Sequence, residues 1–407
     1  MRFFDIRAAL ALLSFAMALT TPLSDLRAQT APTDGISAIS SLYLASRQPV
    51  SLYLATRYGL LRAEPSGMAT LVPGLEGGLT SLAAHPDDSN MLLASGYNRD
   101  SGKLGVMLST DGGGSWTKIA EGADGPAAFY ALDFSRSDPN VIYGVFDGLQ
   151  ISRDGGNSWK AGGKLPEDVF DLAVSALNGD TLYAATKGGL FFSHDGGASW
   201  QPGHLVRRPA TMVHTAPGGR LYAFVLGVGL ITAKEPDLTW TTLFTDVADR
   251  YFLHMVVDPA NPERLYANVD TGAILTSGNG GVTWSSFEGS HTANDEAIAR
   301  GRQLYEETCQ ACHGDIGVGE SPDDPFAKDE YGFKAPALND DAHGWHHSDQ
   351  NLIKTILNGS SRNERMVAFK ETLSGEDVEN VVAYIKSLWN FRSLACQGAR
   401  HMACMGR

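Results

Sequence analysis

The chain has 407 residues, too many for one ordinary hydrophobic core, and 46 acidic against 32 basic side chains give it a formal net charge of -14. Such an acidic surface argues against nucleic acid or anionic membrane as a partner and favours basic or neutral ones. Near residue 290 the composition changes from Gly, Ser, Thr and aromatic residues to a helical pattern, which predicts two domains.

At the amino terminus Arg2 and Arg7 flank a short n-region, Ala8 to Leu19 is an apolar core, and Leu26-Arg27-Ala28 is an acceptable cleavage site. Residues 1–28 therefore read as a signal peptide delivering the chain to the periplasm, with an uncleaved anchor as the other reading because Asp5 and Leu26 depart from the pattern. No later segment approaches the roughly 20 apolar residues of a membrane helix, so no span is expected in the mature chain.

Residues 36–290 repeat internally. The octapeptides STDGGGSW at Ser109, SRDGGNSW at Ser152, SHDGGASW at Ser193 and SGNGGVTW at Ser277 are separated by 43, 41 and 84 residues. The last interval is two periods, and ITAKEPDLTW, ending in Trp240, fills the gap as a decayed copy; LLRAEPSGMATL at residues 60–71 is another. Ahead of each copy runs a strand pair with a recurring aromatic, at Tyr53, Tyr143, Tyr183, Tyr222 and Tyr266. Six units of about 42 residues, each with four short β segments, predict a six-bladed β-propeller, seven blades being the alternative if Ile36 to Ser46 is used differently.

The octapeptides resemble the Asp-box of BNR or sialidase-like propellers. The resemblance implies that Asp111, Asp154 and Asp195 accept backbone amides across a hairpin turn, that the glycines take positive φ, and that the tryptophan packs beneath. Asn279 departs from it, and blades one and five lose it. The sialidase-like glycosidase reading fares poorly, because the Arg-Ile-Pro motif of those enzymes is missing before Ser109 and no nucleophile can be assigned. In the expected innermost strands one aligned position reads Ser81, Ala131, Asp171, Thr211 and His254. This column either borders a central channel, where His254 and His214 could hold a metal, or braces neighbouring blades with hydrogen bonds.

SSFEGSH is expected to be a linker, and a helix is expected from Asn294 with Asp295 and Glu296 in its first turn. Ile298, Gly301, Tyr305 and Cys309 share a stripe of that helix, where Gly301 would allow a second helix close approach. The helix leads into CQACH, Cys309 to His313, whose thiols have the spacing of a covalent c-type haem site and whose histidine can ligate the iron, against the alternatives of a chance match or a redox dithiol. Gly314 to Gly332 reads as an exposed loop, with Asp323, Asp324, Asp329 and Glu330 as solvated surface. Ser348 caps a helix that Asn358-Gly359 ends, and the capping box Ser374-Gly375-Glu376-Asp377 starts the last helix, with Val378, Val381, Val382, Ile385, Leu388 and Trp389 on one face.

Residues 294–392, with CQACHG, KAPAL and MVAFKETLSGEDVENVVAYIKSLW, resemble a small all-α class I c-type cytochrome domain. By position the resemblance implies one covalent haem c on Cys309 and Cys312, His313 as proximal ligand, Met366 as distal ligand, and the Pro336 carbonyl as acceptor orienting His313. Val367 stands where the family usually has proline, and His343, His346, His347 or an open sixth position are the alternatives to Met366. In the tail, 393–407, Cys396 and Cys404 are expected to form a disulfide; the alternative is a Cu(I) site with His401, Met402 and Met405. The leading expectation is a periplasmic electron-transfer protein whose propeller docks a redox partner protein or binds substrate. The other is an oxidoreductase with a catalytic or metal site in the propeller or tail.

Overall fold

A computed structural model of the chain describes residues 30–33, 36, 38–47, 50–247, 249–288, 295–324, 326–341 and 344–405. The expected signal peptide, Asn294 and His343 lie outside them.

Six sheets, each built on four antiparallel strands in chain order, follow one another from Ile39 to Ser286. Their first strands are Ile39–Arg47, Gly78–Ala84, Ala131–Phe134, Val169–Val174, Ala210–Ala216 and Phe252–Val257, and they pack side by side in a closed ring. The chain is thus a six-bladed propeller; Ile39–Arg47 serves as the inner strand of blade one, and among the described residues no strands remain for a seventh. Thr30–Pro32 adds an outer fifth strand to blade one by pairing with Met68–Leu71. Apolar side chains fill the space between blades: Leu42, Leu52 and Leu54 of blade one bury against Val256, Tyr266 and Ile274 of blade six. Arg47 reaches Asp258 at 3.0 Å across the same seam.

The four octapeptides are turns between third and fourth strands, built alike. Asp154 Oδ1 accepts the Ser158 amide at 2.8 Å and the Ser152 hydroxyl at 2.8 Å, and Oδ2 accepts the Ser158 hydroxyl at 2.6 Å. The Ser115 hydroxyl and amide, with the Ser109 hydroxyl, hold the Asp111 carboxyl down at about 2. Gly155 and Gly156 take φ of 70° and 90°, a region that costs other residues a Cβ clash, and Trp159 folds back to donate to the Gly156 carbonyl at 3.0 Å. Asn279 replaces the acid by accepting the Thr283 amide at 2.9 Å and donating to the Thr283 hydroxyl at 2.8 Å. In decayed blade five, Trp240 donates instead to Gly203 on the preceding blade at 2.7 Å.

The polar column braces blades. The Ser81 hydroxyl donates to the Phe129 carbonyl at 2.8 Å, Asp171 accepts the Val213 amide at 3.0 Å, and the Thr211 hydroxyl donates to the Phe252 carbonyl at 2.6 Å. Asp133, two residues beyond Ala131 on its strand, accepts the Val174 amide at 2.8 Å in the same way. Each bond runs from one blade to the next.

The expected linker is a correction to the sequence reading: Ser285–Ser286 is the outer strand of blade six, Phe287 is fully buried, and Glu288 is buried in an ion pair. Residues 285–288 are not a solvated linker, because the Phe287 ring is buried and the Glu288 carboxylate is paired with Arg400. Helix α1, Asp295–Thr308, crosses α4, Gly375–Ser387, at Gly301, where a Cβ would lie 1.9 Å from the Asn380 carbonyl oxygen. Only glycine permits that crossing; Tyr305 and Tyr384 pack beside it with ring centroids 5.1 Å apart. The Ser374 hydroxyl and the Asp377 carboxylate form the predicted capping box on α4, and Ser348 caps α3, Asp349–Asn358, by accepting the Asn351 amide at 3.3 Å.

After α4 the chain stays packed on the propeller. Phe391–Ala395, the short α5, inserts Phe391 between Phe244 and Phe252 of the propeller, with ring centroids 5.1 and 5.6 Å apart. One continuous apolar core runs from blades five and six into the helices.

Candidate functional site

Cys309 closes α1, its amide donating to the Tyr305 carbonyl at 2.8 Å, and the single turn α2, Gln310–His313, follows directly. The His313 amide donates to the Cys309 carbonyl at 2.9 Å, so both cysteines and the histidine sit on one turn. The two thiols are half-buried and unpaired, and burial raises the Cys309 thiol above its ordinary value.

His313 Nδ1 lies 2.9 Å from the Pro336 carbonyl oxygen. A carbonyl can only accept, so Nδ1 carries the proton and Nε2 is left as the basic nitrogen able to bind a metal. Burial also lowers the His313 pKa, which favours the neutral imidazole that metal binding requires. The supporting loop is tight: the Gly319 amide donates to the His313 carbonyl at 2.7 Å, and a Cβ on Gly319 would sit 2.8 Å from the Pro336 carbonyl carbon. Tyr305 fastens the other side by donating to the Gly314 carbonyl at 2.8 Å.

Met366 is half-buried and packs against the same apolar cluster as Cys309, Leu338, Ile353 and Leu357. The loop carrying it is pinned, since the Met366 amide donates to the Asn363 carbonyl at 3.1 Å and the Ser360 amide donates to the Met366 carbonyl at 3.0 Å. Val367 is 56% exposed. Of the rival ligands, the His346 ring stacks on His401 with centroids 4.5 Å apart, and the His347 backbone carbonyl accepts from Gln397 at 3.1 Å.

Cys396 and Cys404 are joined in a disulfide, which removes both thiols from the copper alternative. In the propeller, burial pushes Asp171 up to about 8 and lowers His254 to about 4 and His214 to about 3. Among the described residues no group of three His, Cys, Asp or Glu is placed to hold a metal ion.

Sequence reasoning missed the ion cluster beside Met366. Arg365 donates to Glu320 through both outer nitrogens, each at 2.7 Å, and to Asp329 at 2.6 Å. Asp329 is therefore a paired residue and not the solvated surface expected of its acidic run; the signal was a lone arginine next to the candidate methionine.

The donor set fits a haem held through thioethers: two free thiols and a neutral imidazole on one turn, with a thioether on the same apolar cluster.

Residues 296–385 match the family model described as cytochrome c oxidase, cbb3-type, subunit III. No curated protein matches the chain. Among solved structures the chain is similar to the GH74 enzyme of Niastella koreensis, with 18% identity and a TM-score of 0.46 over 61% of this chain and 45% of that one. It is similar also to the GH74 xyloglucanase of Xanthomonas campestris, with 16% identity and a TM-score of 0.45 over 64% and 46%. A third is YCF48 bound to D1 peptide, with 16% identity and a TM-score of 0.44 over 64% and 85%. The chain spans less than half the length of the two GH74 enzymes.

Proposed function

Because a cytochrome c domain at residues 296–385 follows a six-bladed propeller, we propose that the protein is a periplasmic electron carrier holding one covalent haem c. Cys309 and Cys312 would anchor the porphyrin, His313 and Met366 would ligate its iron, and the propeller would dock a redox partner protein. The observation that carries this reading is the 2.9 Å contact of His313 Nδ1 with the Pro336 carbonyl, which fixes the tautomer beside two unpaired thiols. When bound, the haem supplies an iron that cycles between two oxidation states. The chain's part is to hold that iron still. Pro336 fixes the His313 ring and the pinned 360–366 loop holds Met366; with both side chains as ligands the haem would supply electron transfer in preference to oxygen activation. Export is supported by the 1–28 segment and by the Cys396–Cys404 disulfide, a bond of oxidising compartments. No helix among the described residues is long and apolar enough to cross a membrane.

The test is protein matured in a host competent for haem attachment. The pigment should stay with the polypeptide in acidified organic solvent, and Cys309→Ser with Cys312→Ser should release it. Met366→Ala should lose the methionine-to-ferric-iron absorption band and gain exogenous ligand binding; an unchanged band removes Met366 from the iron.

A further inference from the structure

The two candidate ligands stand on loops that meet at one carboxylate. On the His313 side, the Ala335 amide donates to Glu320 Oε2 at 2.8 Å, and the Glu320 amide donates to the Ala335 carbonyl at 3.1 Å. Ala335 precedes Pro336, whose carbonyl accepts from His313, and Gly319 beside Glu320 holds the His313 carbonyl. On the Met366 side, Arg365 grips both oxygens of the same carboxylate, while its own amide donates to Asn363 Oδ1 at 2.8 Å. Asn363 is 8% exposed, donates to the Phe333 carbonyl, and accepts the Met366 amide at its backbone oxygen. Asp329 closes the cluster from the short hairpin Lys328–Asp329 and Gly332–Phe333.

We infer that Glu320 and Arg365 are positioning residues that couple the two sides of the haem site, so that the setting of the proximal imidazole and the reach of the distal thioether are fixed by one ion pair. Two features favour this over a surface salt bridge. The fork is bidentate, which fixes a plane as well as a distance. The Arg365 and Glu320 side chains are 32% and 24% exposed, so solvent is only partly admitted to the pairing. The carboxylate is engaged on both sides at once, accepting from the Ala335 amide in the loop that orients His313 and from the guanidinium of Arg365 next to Met366. The pair can therefore pass a displacement of one loop to the other. A salt bridge that only held the fold would stabilise the domain and leave the iron's ligand strength alone.

The inference rests on Met366 as ligand, so Met366→Ala is measured in parallel. Arg365→Gln and Glu320→Gln are compared with wild type in the haem-loaded full chain, following the methionine-to-ferric-iron band and the affinity for added imidazole. Each variant should weaken the band and bind imidazole about 10- to 100-fold more tightly, as loss of a group orienting a metal ligand does. The double variant should do no more than the stronger single one, because the two residues act as one unit. Arg365→Lys, which keeps the charge without the fork, should fall between, and it carries the comparison if Arg365→Gln does not mature. If Met366→Ala abolishes the band but imidazole affinity in the Gln variants equals wild type, the coupling is wrong while the ligation stands. If Met366→Ala leaves the band intact, the ligand assignment fails first. A fall in melting temperature with an unchanged band and affinity would reduce the pair to a structural role and overturn the inference.

Discussion

Between neighbouring propeller blades the polar contacts repeat, whereas between the propeller and the helical domain none does. Asp133 accepts the Val174 amide and Asp171 the Val213 amide at equivalent steps round the ring. At the domain junction, by contrast, Glu288 of blade six meets Arg400 of the tail at 2.9 Å, Thr33 donates to it at 2.6 Å, and Lys386 of α4 donates to its backbone carbonyl at 2.7 Å. The seams reuse a bond from one side chain to the next blade's backbone, while the junction joins unlike contacts: the Glu288 cluster, the Thr271 hydroxyl on the Ala395 carbonyl at 2.5 Å, and the apolar core around Phe391. The cytochrome domain is therefore fastened to the propeller through buried contacts and not tethered to it.

The largest effect should follow from breaking the junction at its centre. Burial alone would raise the Glu288 pKa, but Arg400, Lys386 and the Thr33 hydroxyl more than offset it and hold the carboxyl below its ordinary value. Glu288→Ala leaves Arg400, whose side chain is 4% exposed, without its carboxylate partner; the expected cost is about 3–5 kcal/mol in urea denaturation. Hydrogen exchange should show the loss first in α5 and the tail, with blades two to four still protected. Uniform loss over all blades would mean that the junction is not a separate unit. Since the folded pKa is depressed, this contribution is present above the unfolded carboxylate value near ~4.3 and fades as pH falls through the folded one.

The same contrast explains what the sequence disclosed. The octapeptides announced the blades because each copy must supply its own capping group and left-handed glycines, and local requirements leave local patterns. CQACH was legible for the same reason, with all its groups on one turn. Glu288 and Arg400 are 112 residues apart, and Glu320 and Arg365 are 45 apart; neither pair has a spacing rule, so neither left a pattern in the sequence. Phe391 follows the last periodic helix with no repeat to mark it, and its place shows only in the contacts with Phe244 and Phe252.

A smaller and pH-dependent effect should mark the seams between blades. Burial pushes Asp171 up to about 8 and Asp133 up to about 6, despite the amides that each accepts. In the unfolded chain such a carboxyl releases its proton near ~3.9, so between that value and about 8 the folded state binds more protons, and stability falls as pH rises through the window. Asp171→Asn keeps an acceptor for the Val213 amide and removes the titration. Urea midpoints measured across the window should give a flatter slope for Asp171→Asn than for wild type. An equal slope would place the pH dependence elsewhere.

The smallest effect should come from restoring the acid that blade six lacks. Asn279 already accepts the Thr283 amide at 2.9 Å and the Ser277 hydroxyl at 3.0 Å, and its Nδ2 donates to the Thr283 hydroxyl where Asp154 accepts from Ser158. Asn279→Asp reverses one hydroxyl and removes no contact, so stability should move by no more than about 0.5 kcal/mol. Gly281→Ala in the same turn should cost more, about 1–2 kcal/mol, since φ there is 94° and the new Cβ would lie 3.1 Å from Leu230 Cδ2. Thermal midpoints of the two variants decide which feature carries the turn. If Asn279→Asp shifts stability more than Gly281→Ala does, the charge matters beyond its hydrogen bonds. The reverse order places the requirement in the backbone, where a blade can lose its acid and keep its shape.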